Sequence, residues 1–241
     1  MKGFVLTSIL LLTSVLISCS TTTSDNVDTD GIYAVLTIQE DGANTRADAT
    51  FYVGGMTGTV LQLTAGDSVT CNGNAMTENQ DLFGKYYYYG NCGTLTAGAT
   101  YTFTFTRNGD DGPESYSSSV VMPAAITISS PNDGATFTRG QTIPVTWNAG
   151  SDTVEVSISG SGTSASGSGS TTYSRSHGSL DDDGAYTILA TDTDPDDTIT
   201  GVIANAAISV TRSRSGTMAS GLDGQISARR ADAVSNLTLN P

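Results

Sequence analysis

Apolar and polar residues alternate with a period of two in several separate runs. Ile32, Ala34, Leu36 and Ile38 share one face of an extended segment. Tyr101, Phe103 and Phe105 share another, opposite Thr102, Thr104 and Thr106. Val154, Val156 and Ile158 alternate with Glu155, Ser157 and Ser159, and Tyr186, Ile188 and Ala190 alternate with Thr187 and Leu189. Successive side chains of a strand point to opposite faces, so each run predicts a half-buried strand. Turn signals rich in Asp and Gly separate the runs, and no long stretch after the N-terminal segment has a helical period. The pattern predicts an all-β fold.

The N-terminus breaks this pattern. Lys2 precedes a stretch from Phe4 to Ile17 that is apolar apart from small hydroxyl residues. It is too short for a comfortable membrane span and has the length of a signal-peptide core. It closes in Leu16-Ile17-Ser18-Cys19, which resembles the bacterial lipobox. The resemblance implies a lipoprotein signal peptide over residues 1–18, cleavage before Cys19, and acylation of that cysteine (palmitate among the chains). Two acyl chains hold a protein to a bilayer stably where one does not. Ser20, rather than an aspartate, follows the cysteine. This resembles the sorting signal of outer-membrane lipoproteins in well-studied Gram-negative bacteria, and implies the outer membrane or cell surface. Ser20 to Asp30 is polar and aperiodic, so residues 19–30 read as a lipidated cysteine and flexible tether.

Two bodies follow. Pro123 cannot donate to a ladder and suits a junction between strands. Residues 31–123 and 124–213 are each the size of an immunoglobulin-like sandwich. Residues 159–170, mostly Ser and Gly, read as a flexible surface loop. The tail, 214–241, holds two further candidate strands at Gln225–Ala228 and Asn236–Leu239. In the second body, Gly140-Gln141-Thr142-Ile143-Pro144-Val145-Thr146-Trp147 resembles a strand ending in a core tryptophan. Asp182-Asp183-Gly184-Ala185-Tyr186 resembles the Asp-x-Gly-x-Tyr corner of immunoglobulin-like domains. The resemblance implies two tandem immunoglobulin-like β-sandwiches, with Trp147 in the core and the Tyr186 hydroxyl bonded back to the backbone. Ile188 stands where antibody domains carry a cysteine. The first body has a shorter echo in Gly98-Ala99-Thr100-Tyr101, with Phe103 at that position.

The formal net charge is −14, and cleavage of the signal would remove one positive side chain, Lys2. Such a surface repels nucleic acid and anionic headgroups and leaves cations, basic proteins or neutral ligands as partners. With Cys19 assigned to lipid, Cys71 and Cys92 remain. Outside the cytoplasm they form a disulfide, or else are free or metal-binding thiols. A bridge would restrain the loop that carries Tyr86, Tyr87, Tyr88 and Tyr89. Alternation puts Tyr86 and Tyr88 on one face and Tyr87 and Tyr89 on the other, so one pair is a candidate ligand contact unless both faces are covered.

Catalytic signals are sparse. The one histidine, His177, lies in a Ser/Gly-rich stretch and reads as solvated surface. The sequence has no Gly-x-Ser-x-Gly elbow, phosphate loop or zinc-type Cys/His cluster. Asp192, Asp194, Asp196 and Asp197 could supply oxygen ligands to calcium, or could be solvated turn residues; Asp181-Asp182-Asp183 is a second acidic cluster. No other cofactor is expected. The reading is a non-enzymatic envelope lipoprotein that binds or scaffolds a protein or glycan. Its rivals are a carboxylate-dependent hydrolase of envelope polysaccharide and a structural spacer.

Overall fold

The structure, a computed structural model, describes residues 21–241 apart from 43, 65, 110–111, 165–166, 168 and 195–198. The signal segment and Cys19 lie outside these residues. Strands occupy β1 (Thr21–Thr23), β2 (Ile32–Asp41), β3 (Asn44–Val53), β4 (Thr59–Gln62), β5 (Ser68–Cys71) and β6 (Asn74–Ala75). There follow β7 (Thr77–Gln80), β8 (Tyr86–Gly90), β9 (Thr100–Gly109), β10 (Gly112–Val121), β11 (Ile128–Ser130) and β12 (Thr136–Thr138). The C-terminal half holds β13 (Ile143–Trp147), β14 (Thr153–Ser164), β15 (Ser170–Asp181), β16 (Ala185–Ile188), a short helix α1 (Ala190–Thr193), β17 (Ile199–Ser215) and β18 (Asp223–Asn240). The chain is all-β and forms two immunoglobulin-like sandwiches in tandem.

In the first sandwich one sheet has the order β1-β4-β3-β2-β18, with β8 on β3 and β7 on β8. The facing sheet has the order β10-β9-β5-β6. Ile32, Ala34, Leu36 and Ile38 of β2 and Ala47, Ala49 and Phe51 of β3 are buried against Tyr101, Phe103 and Phe105 of β9. The rings of Phe51 and Phe105 stand 4.8 Å apart. Burying each such large side chain contributes about 1.5–3 kcal/mol relative to leaving it in water. In the second sandwich β18-β17-β14-β15, with β12 on β18, packs on β11-β13-β16 around Ile143, Val145, Trp147, Val156, Ile158 and Ile208.

The two sandwiches share a strand. Asp223–Ala231 of β18 pairs in parallel with Tyr33–Asp41 of β2, and Thr238–Asn240 pairs with Thr136–Thr138 of β12. Ile226 and Ala228 belong to the first core, and Val234, Leu237 and Leu239 to the second. From Asp223 to Asn240 the tail is therefore one continuous strand that completes both bodies. Its polar middle, which separates the two candidate strands in the sequence, is where the strand crosses between cores. There Arg230 donates to Glu40 Oε2 at 3.0 Å, and Asp232 Oδ2 accepts from the Ile128 N–H at 2.7 Å.

Two segments expected to be flexible are built in part into strands. The tether is docked on the first sandwich: Thr21–Thr23 pairs in parallel with Val60–Gln62. Ser24 is buried and its Oγ accepts from the Thr64 N–H at 2.9 Å, while Arg107 donates to the Ser24 carbonyl and to Thr29 Oγ1. Ser24 thus satisfies a backbone N–H instead of facing water, while Asp25, Asn26, Asp28 and Asp30 stay exposed. Of residues 159–170, those up to Ser164 lie in β14 and Ser170 opens β15, and the two strands pair out to Thr163 and Ser170. Gly160 and Gly162 are packing residues, whereas Gly167 and Gly169, at positive φ, meet nothing within 4 Å. A Cβ on Gly160 would come within 2.7 Å of Ile203, and one on Gly162 within 2.6 Å of Ile199.

Candidate functional site

The tyrosine run forms β8, at the edge of the first sandwich. Ala47↔Gly90 and Ala49↔Tyr88 align it antiparallel to β3. Alternation sends Tyr88 inward, where its ring meets Phe51 edge-on at 5.9 Å. The Tyr88 hydroxyl accepts from the Leu63 N–H at 2.7 Å and donates to Glu78 Oε2 at 2.9 Å. Burial raises this phenol well above its ordinary pKa, so it stays a neutral structural group. Tyr86 and Tyr87 are half-buried, and Tyr89 is 39 % exposed. Tyr87 and Tyr89 stand 6.2 Å apart on the outward face, and the Arg46 guanidinium lies 5.8 Å from the centroid of each. Arg46 is held by Asp48 at 2.6 Å. Lys85 projects its ammonium to 5.0 Å from the Tyr52 ring.

A rigid turn closes the β7–β8 hairpin. The Asp81 carboxylate accepts from the Phe83 and Lys85 N–H groups, and Gly84, at φ 81°, donates to the Asp81 carbonyl. This turn holds Leu82 fully exposed and Phe83 81 % exposed. The sequence reading missed both. Two apolar residues between turn formers were the available signal, but local pattern does not reveal whether a turn is covered.

Cys71 and Cys92 are disulfide-bonded, with Cα atoms 4.8 Å apart, inside the usual range of about 4.4–6.8 Å. Cys71 ends β5 in one sheet, and Cys92 follows β8 beside the other. The bridge therefore ties the two layers together as well as pinning the end of the tyrosine strand.

His177 and several residues of the acidic clusters have partners. His177 lies on β15, and its Nε2 is 2.8 Å from Asp192 Oδ2, with its ring 5.5 Å from Tyr186. It is a packed histidine rather than free surface. Asp192 also accepts from the Leu189 N–H, and Asp194 pairs with Arg139 at 2.6 Å. Two of the four candidate calcium ligands are thus engaged within the protein; Asp196 and Asp197 lie outside the described residues. Among the described residues no group of three or more His, Cys, Asp or Glu is poised to hold a metal.

Asp182, from the second cluster, is the centre of a buried network. Its carboxylate and the Arg212 guanidinium are both 0 % exposed and meet through two hydrogen bonds of 2.6 and 2.9 Å. Trp147 Nε1 donates to Asp182 Oδ1 at 2.9 Å. Arg212 spends its remaining donors on the carbonyls of Ala124, Ala125 and Asn148. Ala124 and Ala125 form the junction after the first sandwich, so this network locks the linker onto β17. Burial alone would raise the Asp182 pKa; the bonds from Arg212 and Trp147 outweigh it and hold the carboxyl below its usual range.

The tyrosine corner sits elsewhere than expected. Among the described residues the hydroxyl of the half-buried Tyr186 makes no hydrogen bond, although its backbone pairs with Val145. It is Tyr101, in the first sandwich, whose hydroxyl accepts from the Thr96 N–H and donates to the Thr94 carbonyl, both at 2.7 Å.

An open cavity of about 270 Å³ is lined by Asp30, Tyr33, Gly54, Gly55 and Asp223 at one end of the first sandwich. Among the described residues neither this cavity nor the tyrosine edge carries a nucleophile–base pair.

Comparison with known proteins agrees with this architecture. The bacterial Ig domain family matches residues 125–190, within the second sandwich. Such a domain supports a structural or binding role, and the class is one typical of extracellular or surface-exposed proteins. No curated protein matches the sequence. Among solved structures, the fibronectin(III)-like modules of CbhA from Clostridium thermocellum are 10 % identical, with 82 % of this chain and 92 % of that one covered and a TM-score of 0.24. The Dpr11 IG1 complex with DIP-gamma IG+IG2 is 8 % identical, with 87 % and 99 % covered and a TM-score of 0.20. Neither superposition is close enough to align a site.

Proposed function

We propose that this protein is an exported lipoprotein, anchored through Cys19 in the outer membrane or at the cell surface, that binds or scaffolds a protein or glycan without catalysis. The observation that carries the binding reading is the outward pair Tyr87 and Tyr89 with Arg46 lodged against both rings. Tyrosine and arginine bring large contact area at low entropic cost and dominate binding hot spots. The hairpin that carries them is restrained by the Cys71–Cys92 bridge, which lowers the ordering cost of binding. A scaffolding role is supported by the shared strand β18 and the buried Arg212 network, which make the junction stiff.

Photo-crosslinking in intact cells tests the site. A benzophenone amino acid at Tyr89 should give a discrete adduct with an envelope component, and Arg46→Ala should diminish it. The same probe at buried Tyr88 should give none. Absence of any adduct from positions 87 and 89 removes the binding reading. The anchor is tested separately. Cys19→Ser should accumulate as an unlipidated precursor, and normal processing of that variant refutes acylation there.

A further inference from the structure

The apolar tip of the β7–β8 hairpin lies at a particular pole of the molecule. Strand pairing brings together the end of β3 and the starts of β2, β4, β18 and β1, through Val53↔Ile32, Val53↔Thr59, Tyr33↔Asp223 and Thr21↔Val60. The opposite end of this sheet is where β18 continues into the second sandwich. The pole is therefore the far end of the first sandwich from the second. Because β8 runs antiparallel to β3, its start at Tyr86 and the turn before it point to this pole. The Lys85 contact with Tyr52, the neighbour of Val60, fixes them there. Met56, in the β3–β4 connection, is also at this end and 54 % exposed.

Three of the large exposed apolar side chains, Met56, Leu82 and Phe83, thus lie towards the end at which the described chain begins, Met56 on the β18 side beside Gln225. Thr21 is two residues from Cys19, and two strand spacings, about 10 Å, separate β1 from β3. The composition grades along the hairpin: Leu and Phe at the tip, then Lys85, the only lysine besides Lys2, then Tyr86 and Tyr87. Apolar residues outermost, with lysine and tyrosine behind them, match the layering of a bilayer surface. There a long cation reaches back to the headgroups, and tyrosine sits where apolar and polar phases meet. A protein partner would need a complementary pocket for Leu82 and Phe83, whereas a bilayer needs none.

We propose that this pole rests on the membrane, with Leu82 and Phe83 immersed in a neutral lipid surface as a second contact beside the lipid on Cys19. The contact fixes the orientation of the molecule. The first sandwich stands on the bilayer, and the stiff β18 junction holds the second away from it. Asp30 and Asp223 at the same pole disfavour anionic headgroups. The proposal rests on the reading of Cys19 as the anchor point, and the experiment separates the two.

The chain from Cys19 onward is coupled through that thiol to a maleimide lipid in phosphatidylcholine vesicles, so an anchor is present whether or not cells acylate the residue. Cys71 and Cys92 are bridged and do not compete. Hydroxyl-radical footprinting then reads side-chain exposure with the native sequence. Met56, Leu82 and Phe83 should lose reactivity roughly fivefold or more as water leaves the apolar groups. Leu189 and Val202, exposed on the second sandwich, should not change. Leu82→Ser with Phe83→Ser, both at exposed positions, should restore the reactivity of Met56. Equal reactivity on vesicles and in solution overturns the proposal and leaves the tip as a protein contact. Equal protection of Leu189 and Val202 overturns it too, because no orientation is then fixed. Protection that grows with phosphatidylglycerol would show charge-driven adsorption through Lys85, and would likewise refute apolar insertion.

Discussion

Replacing Asp182 by alanine removes the carboxylate that faces Arg212 while leaving the guanidinium with no solvent exposure. Removing one partner of a buried ion pair costs about 3–5 kcal/mol, because the remaining charge is left uncompensated. Trp147 Nε1 loses its acceptor at the same time. For a protein of this size the loss corresponds to a fall in Tm of roughly 6–20 °C. Arg212→Met should cost more still. It strands the Asp182 charge and also frees the carbonyls of Ala124, Ala125 and Asn148, each at about 1–3 kcal/mol. The control is Asp48→Ala, whose pair with Arg46 is open to water on both sides, at 28 % and 46 % exposed; a pair that water screens contributes about 0–1 kcal/mol. Trp147 is the only tryptophan, so its fluorescence follows unfolding in urea from inside the network. The same pair sets an acid dependence. The folded Asp182 pKa is depressed, so its stabilisation is complete above the unfolded carboxylate value of about 3.9. It is lost as pH falls through that value towards the folded one. Wild type should therefore lose stability over this window, and Asp182→Ala should lose less. An Asp182→Ala variant destabilised by no more than Asp48→Ala, or with an unchanged acid branch, would refute this account of the junction.

Replacing Cys71 and Cys92 together with serine should cost about 3 kcal/mol by releasing a loop with a separation of 21 residues; denaturant unfolding of the variant beside the oxidised protein measures it. Tyr101→Phe should cost about 1–3 kcal/mol, since the Thr96 N–H and Thr94 carbonyl lose their shared partner, whereas Tyr186→Phe should be near neutral in the same assay. Alanine at Tyr88 should destabilise the first sandwich by about 3–5 kcal/mol, as for other large core truncations, while alanine at Tyr89 should leave thermal stability unchanged and act only on partner crosslinking.

The fold class was written in the alternation itself. Ile32 to Ile38 and Tyr101 to Phe105 alternate because every second side chain of a strand enters the core, and that is a local property of the chain. Trp147 was legible for the same reason, as an apolar strand terminus. Period two is silent about pairing over distance. It could not show that β18 serves two sandwiches, since Ile226 and Leu239 look alike until their partners, β2 and β12, are known. Composition misled where polar or small residues do structural work. Ser24 and Thr29 satisfy Arg107, and Gly160 and Gly162 admit Ile203 and Ile199. One such signal was present in the sequence. Ala206, Ile208, Val210 and Arg212 fall on one face of β17, and an arginine ending a buried stripe needs a carboxylate. Which carboxylate, among so many, only packing could choose. The exposure of Leu82, Phe83 and Tyr89 was likewise decided in three dimensions. An apolar residue reaches water only when no other segment of the chain covers it, and that depends on the whole fold rather than on the hairpin that carries it.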